Sequence, residues 1–156
     1  SDENQMDLEV GYMAWPEHKL RVAAEYFQAT ENFDQLYPTG HKWLGYADLL
    51  SRRNVQGFRG GVSSQITDQL NLSLDYHNFS RISTSAPAYK LSGAAYGGAG
   101  TDAEIGDEWD LVAGYKLPGD VLLEGGAARF TPGGYLKANS GSDPCSFYYV
   151  QMSVGF

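Results

Sequence analysis

Apolar residues recur at every second position in seven segments of this chain. In the last segment Tyr148, Val150, Met152, Val154 and Phe156 are apolar or aromatic, while the residues between them are mixed and partly polar. Such strict alternation predicts β-strands with one apolar and one polar face. The predicted strands span 6–14, 18–29, 54–66, 70–81, 107–117, 121–131 and 146–156.

The connections between these strands alternate in length. Tight turns follow the first, third and fifth strands. Long segments follow the others: 30–53 is rich in Pro, Gly, Asp and aromatic residues, 83–105 is rich in Gly, Ala and Ser, and 132–145 contains Pro132-Gly133-Gly134 and Asp143-Pro144. Strands of roughly 9–12 residues with short turns at one end and long loops at the other are typical of outer-membrane β-barrels. We therefore predict an all-β fold, an antiparallel transmembrane β-barrel. The only helix we allow for is a single turn at 48–52.

Composition agrees with a barrel that crosses a membrane by strands. The chain is polar on average, with a mean hydropathy of -0.37, and no apolar run approaches the roughly 18 residues of a spanning helix. In a barrel, apolar and polar residues alternate along each strand, so the mean hydropathy stays low although one face is apolar. The 11 tyrosines and 19 glycines suit aromatic girdles at the membrane interfaces and bends within strands.

Charge and cysteine content limit the partners. The net charge of -8 argues against nucleic acid and against a basic patch for anionic lipid. The single cysteine, Cys145, has no second cysteine for an internal disulfide, and we read it as part of a loop turn. The first residues show no signal-peptide pattern, so we expect a mature form or a piece of a longer chain.

The number of strands indicates an incomplete barrel. A bacterial barrel has an even number of strands and both termini on the periplasmic side. If the last strand ends there, the first of seven must start on the external side. An eighth strand around 88–92 would reverse the orientation of everything before it. We therefore expect residues 1–156 to be the C-terminal part of a single, larger outer-membrane barrel domain.

One loop and several strand motifs resemble a known family. Residues 32–48 read Asn-Phe-Asp-Gln-Leu-Tyr-Pro-Thr-Gly-His-Lys-Trp-Leu-Gly-Tyr-Ala-Asp, which resembles a loop of the alginate export family of outer-membrane porins. Further similar stretches, in the family's order, are 74–77, 108–111, 130–134 and 147–151. The resemblance implies a barrel of about eighteen strands, with these seven at its C-terminal end. It also implies transport across the bacterial outer membrane, with an acidic, alginate-like polysaccharide as the solute.

The alternation places a set of charged residues on the face opposite the lipid. The acids are Asp7, Glu9, Glu25, Asp75, Glu108, Asp110 and Glu124, and the bases are Lys19, Arg21, Arg59 and Lys116. Of these we take Lys19, Arg21, Glu25, Arg59, Asp75, Asp110, Lys116 and Glu124 as the predicted pore-lining charges. A channel for a polyanion should offer mostly cations. Lys19, Arg21 and Arg59 could form a local cationic ladder, or acids and bases could pair across strands and keep the wall polar.

The loop with His41 is the other candidate site. Asp34, His41 and Lys42 are candidates for a constriction if this loop folds into the barrel. Catalysis or metal binding there would need a convergent geometry for which the sequence gives no sign. We predict no catalytic residue, no metal site and no cofactor.

These observations predict a function in passive transport. We expect a channel for hydrophilic solutes, whose partners are membrane lipid, the remaining strands of the same barrel and the solute. The alternative is a non-transporting outer-membrane or surface β protein that binds partners through loops 30–53 and 83–105. A weaker alternative is a barrel hydrolase, for which only His77 and His41 are available as the base.

Overall fold

Seven antiparallel strands, each hydrogen-bonded to the next along the chain, form one open sheet in the computed structural model. The structure describes residues 3–33 and 43–155. Within this part of the chain, one edge of β1 and one edge of β7 have no partner strand. The strands are β1 (Gln5–Trp15), β2 (Leu20–Ala29), β3 (Val55–Gln65), β4 (Leu70–Ser80), β5 (Glu104–Leu117), β6 (Val121–Pro132) and β7 (Cys145–Val154).

The seven predicted strands are confirmed, and the predicted helical turn is wrong. The largest difference at a strand boundary is at β5, which begins at Glu104 rather than at 107. Residues 48–52 are not helical, because the backbone N–H of Ser51 donates to the carbonyl of Tyr89 in the next loop. The short helices lie at Pro16–His18 and at α1 (Gly134–Asn139). No helix in the described ranges has the length and apolar character to cross a membrane.

One face of the sheet is apolar and open along all seven strands. Val10 on β1 is 68% exposed and Val150 on β7 is 80% exposed. A continuous exposed apolar surface of this kind is unfavourable in water. Aromatic rings pair across strands on this face: the centroids of Tyr76 and Trp109 lie 4.9 Å apart. We call this the outer face, and its continuity is what a lipid-facing surface requires.

The opposite, inner face changes character along the strands. Charged side chains occupy its middle, as predicted. Towards the long loops it is apolar, because Phe27, Phe79 and Phe130 are directed inwards and are at most 2% exposed. Leu44 and Tyr135 from the loops pack against these rings in one core. This apolar end of the inner face was not predicted from the sequence, and it lies where the loops fold over the sheet.

Adjacent residues in the middle of β7 allow a test of the two faces. Val150 is on the outer face and Gln151 on the inner face. An arginine facing lipid near the bilayer midplane costs about 2–4 kcal/mol, whereas a lumen-facing one does not leave water. We expect Val150→Arg to lower the free energy of unfolding in phospholipid vesicles by about that amount, and Gln151→Arg to change it by less than about 0.5 kcal/mol. Equal losses would contradict the assignment.

Candidate functional site

The middle of the inner face carries a network of ion pairs around Arg59 on β3. Its guanidinium lies 2.6 Å from the carboxylate of Glu9, 3.0 Å from that of Glu25 and 3.7 Å from that of Asp75. Arg21 on β2 forms a further ion pair with Glu9. Both arginines therefore form ion pairs with carboxylates of neighbouring strands. Of the two alternatives that the sequence left open, this arrangement is the cross-strand pairing and not a ladder of unpaired cations.

The strand register explains why an arginine is needed at this point. Glu9 lies directly opposite Glu25, and Asp75 lies directly opposite Asp110. Like charges facing each other across strands are destabilising. Arg59, which is itself opposite Glu25, contacts three of these four carboxylates. It offsets the repulsion that the register creates.

A segment of the first long loop docks on the inner face beside this network. The backbone N–H of Ala47 donates to Glu108 over 2.8 Å, and that of Tyr46 donates to Asp110 over 3.3 Å. Both carboxylates are buried, and the imidazole of His77 lies 3.3 Å from Asp110. Buried carboxylates that lose water need such donors. The inward fold of this loop is therefore fixed by main-chain hydrogen bonds to two acids of β5.

Gly45 makes this docking sterically feasible. Its φ is +85°, in the left-handed region that favours glycine. A Cβ atom at this position would overlap the carboxylate of Glu108. A side chain here would displace either the loop segment or the Glu108 carboxylate, and in both cases it would disturb the hydrogen bond from the Ala47 N–H.

Tyr46 projects from the docked segment over the inner face. Its ring stacks on that of Tyr149, with centroids 5.6 Å apart and an interplanar angle of 10°. The hydroxyl of Tyr149 donates to Glu124 over 2.8 Å. A Cβ atom at Gly126 would overlap the Tyr149 ring, so the glycine lets that ring lie across β6. Burial raises the pKa of the Tyr46 hydroxyl above its ordinary value.

Arg52 fixes the other end of the same loop segment. Its side chain is 6% exposed, and its guanidinium nitrogen lies 2.7 and 2.6 Å from the two carboxylate oxygens of Asp7 on β1. The guanidinium also lies over the ring of Trp43, 5.4 Å from its centroid. The segment 43–52 is thus held to β1 by an ion pair and to β5 by backbone hydrogen bonds.

The second long loop, 81–103, is organised by two buried polar side chains. Arg81 donates to the carbonyl of Gly100 over 2.9 Å, and its guanidinium lies 3.9 Å from the centroid of the Tyr135 ring. The amide of Asn54 donates to the carbonyl of Ser83 over 2.9 Å and accepts from its N–H over 2.8 Å. These bonds satisfy loop backbone groups that are removed from water, and they close the long-loop end of the sheet.

The predicted pore-lining residues fall into two groups. The structure brings Arg21, Glu25, Arg59 and Asp75 into one network, and Asp110 into the neighbouring cluster with His77. Three others lie apart from it, towards the short turns: Lys19, Lys116 and Glu124. That these residues line a pore stays a prediction.

The predicted constriction residues Asp34, His41 and Lys42 lie outside the described residues. The described part of their loop does fold over the inner face, through Tyr46 and Ala47. Within residues 3–33 and 43–155, no group of three His, Cys, Asp or Glu side chains is arranged to hold a metal ion.

The residues that dock the segment 43–52 on the inner face were not predicted from the sequence. Alternation places His77, Glu108 and Tyr149 on the inner face, so their location was available but their role was not. Tyr46 and Arg52 belong to an irregular segment with no periodicity to reveal its direction. Only the glycine at 45 was a signal of unusual backbone there.

A comparison with known families now adds to this geometry. The family model described as alginate export matches residues 27–146. The chain belongs to the alginate export family. No curated protein matches it. Membership in this family, which comprises transport porins rather than enzymes, suggests an outer-membrane export porin. The matched range includes the Arg59 network from β2 to β4, the docked loop and the β5 carboxylates.

Two glycines with positive φ provide a matched test of the docked loop. Gly45→Ala should displace residues 46 and 47 from Glu108 and Asp110, because its methyl group has no room. Gly93→Ala is the control, since Gly93 has a φ of +82° but nothing within 4 Å of an added Cβ. Both substitutions cost about 1 kcal/mol, because alanine is strained in the left-handed backbone conformation. We expect hydrogen exchange at the Tyr46 and Ala47 amides to accelerate at least tenfold only in Gly45→Ala. Unchanged protection in that variant would contradict the docking.

Proposed function

We propose that this chain forms part of the wall of a water-filled outer-membrane channel through which hydrophilic solutes pass passively. The observation that carries the proposal is the division of one sheet into two surfaces. The outer face is apolar and exposed from β1 to β7, and the inner face carries the ion pairs and the docked loop. Lipid suits the first surface and water the second. Selectivity then comes from inner-face charge and from the inward loop.

Residues 1–156 are, in this proposal, the C-terminal part of a single barrel of about eighteen strands. The unpaired edges of β1 and β7 support it, because a long open strand edge cannot persist in lipid. Further strands of the same barrel would pair with these edges. β1 in particular carries Asp7 and Glu9, two acids of the inner-face ion pairs, although its side chains are exposed.

The solute is a finer part of the proposal. Family membership supports an acidic, alginate-like polysaccharide. In the part of the chain that the structure describes, however, Arg21, Arg52 and Arg59 each already pair with a carboxylate. The acids of the inner face also outnumber its bases. Cations for a polyanion would therefore have to come mainly from strands outside this chain, and the described wall by itself favours cations.

Ion selectivity tests whether the inner face lines the pore. Arg21→Glu adds negative charge to the lumen, so the reversal potential of channels in planar bilayers under a salt gradient should shift towards cation selectivity. Arg129→Glu is the control, because Arg129 lies on the outer face opposite Trp109. A pore-lining residue should alter the cation-to-anion permeability ratio by about twofold or more at low salt, where screening is weak.

Three outcomes of this measurement have different meanings. A shift for Arg21→Glu alone supports the lumen assignment. An equal shift for both variants, or no shift for Arg21→Glu, contradicts it. A protein that inserts into the bilayer without conducting would favour the alternative, a non-transporting surface protein that binds partners through its long loops.

A further inference from the structure

A cavity of about 320 Å³ lies on the inner face between Tyr46 and the short turns. It adjoins the ion-pair network, because Ser63 and Ser73 border both this cavity and the neighbouring one that Arg21, Arg59 and Asp75 line, but those three charged residues do not line the cavity itself. Its size falls at the lower end of the range for small-molecule sites. Two cross-strand rows of the sheet supply its floor, so its shape follows from the strand register.

The polar part of the lining consists of side chains with unused hydrogen-bonding capacity. Ser63 on β3 lies directly opposite Ser73 on β4, and Asn71 lies two residues before Ser73 on the same face. The side chains of these three residues form no hydrogen bond with any other residue that the structure describes. Two hydroxyls and an amide, half-buried and free, suit a ligand that is rich in hydroxyl groups.

The apolar part of the lining lies beside these groups, and Val112 is directly opposite Ser73 in the strand register. Val112 and Leu122 project into the cavity from β5 and β6, and the Tyr46 ring borders it from the docked loop. Stacking on Tyr149 and the hydrogen bond from its backbone N–H to Asp110 hold Tyr46 in this position. A sugar ring has apolar C–H faces and a polar edge. The Tyr46 ring can stack on an apolar face, and the serine hydroxyls can form hydrogen bonds with the polar edge.

The charges of the lining argue for an uncharged ligand. Lys19 is the one base and Glu124 the one acid among the described residues around the cavity, and Glu124 already accepts a hydrogen bond from Tyr149. The nearest arginines, Arg21 and Arg59, are occupied by carboxylates. A uronate chain, with a carboxylate on every unit, would find a single cation here.

We propose that this cavity is a binding subsite for a neutral sugar unit, which stacks on Tyr46 and donates or accepts hydrogen bonds at Ser63, Asn71 and Ser73. The inference rests on the proposed function, because it places the subsite within the same channel. It departs from a purely alginate-like solute, because it requires saccharides that carry neutral units at this level of the pore.

The experiment measures the block of ion current by maltotriose, a neutral trisaccharide, in planar bilayers that contain the full-length protein. Wild type should show a concentration-dependent block. Tyr46→Ala should raise the half-blocking concentration about tenfold, because it removes the stacking ring. Tyr46→Phe, which keeps the ring, should change it by less than about threefold. Tyr148→Ala, which removes an aromatic ring from the outer face, is the matched control and should leave the block unchanged.

Other outcomes overturn the inference. Equal block of wild type and Tyr46→Ala would exclude stacking on Tyr46, and block by trimannuronate but not by maltotriose would assign the cavity to acidic sugars. Ser73→Ala, which leaves the loop in place, should weaken the block severalfold and so separates loss of binding from displacement of Tyr46. If the protein conducts no ions, the proposed channel function fails, and equilibrium dialysis of maltotriose against the protein in detergent decides on the subsite separately. Absence of binding there refutes it.

Discussion

A strand that crosses lipid can satisfy its backbone only by pairing with neighbouring strands, since the hydrocarbon offers no other partner for an N–H or a carbonyl. Once the strands are paired, their side chains alternate between lipid and interior. Charges along a spanning segment are then favoured on the inner face, and the charged residues Asp107 and Arg129 on the outer face lie towards the long loops. In this chain the register places Glu9 opposite Glu25 and Asp75 opposite Asp110. The ion pairs of Arg59 and Arg21 follow from that crowding.

The same constraint connects the sheet to the docked loop. Neither of the buried carboxylates of Glu108 and Asp110 pairs with a cation of its own strand, β5. The loop instead supplies hydrogen-bond donors, the backbone N–H groups of Tyr46 and Ala47. In this way an irregular segment becomes part of the wall. The Tyr46 ring of this segment borders the cavity that contains Ser63, Asn71 and Ser73. The charges of the sheet therefore position a ring of the proposed sugar subsite.

Much of this architecture was predictable from alternation. The strands and the face of charged residues such as Arg59 and Asp75 follow from a period of two. The packed end was not, because Phe27 and Phe79 share the inner face with charges, and only the loops explain why they are there. The directions of Tyr46 and Arg52 could not be predicted either. They depend on tertiary contacts with β5 and β1 that are distant in sequence and have no local pattern.

In the proposed channel, one face of the sheet meets lipid and the other meets water. β4 tests it most directly, because it lies in the middle of the sheet with both neighbouring strands present. Nitroxide labels would be placed at each position from 70 to 74 in a Cys145→Ser background, in phospholipid vesicles. Labels at 70, 72 and 74 should be accessible to oxygen, and those at 71 and 73 to a water-soluble nickel chelate. Equal access of the chelate to all five positions would contradict the claim.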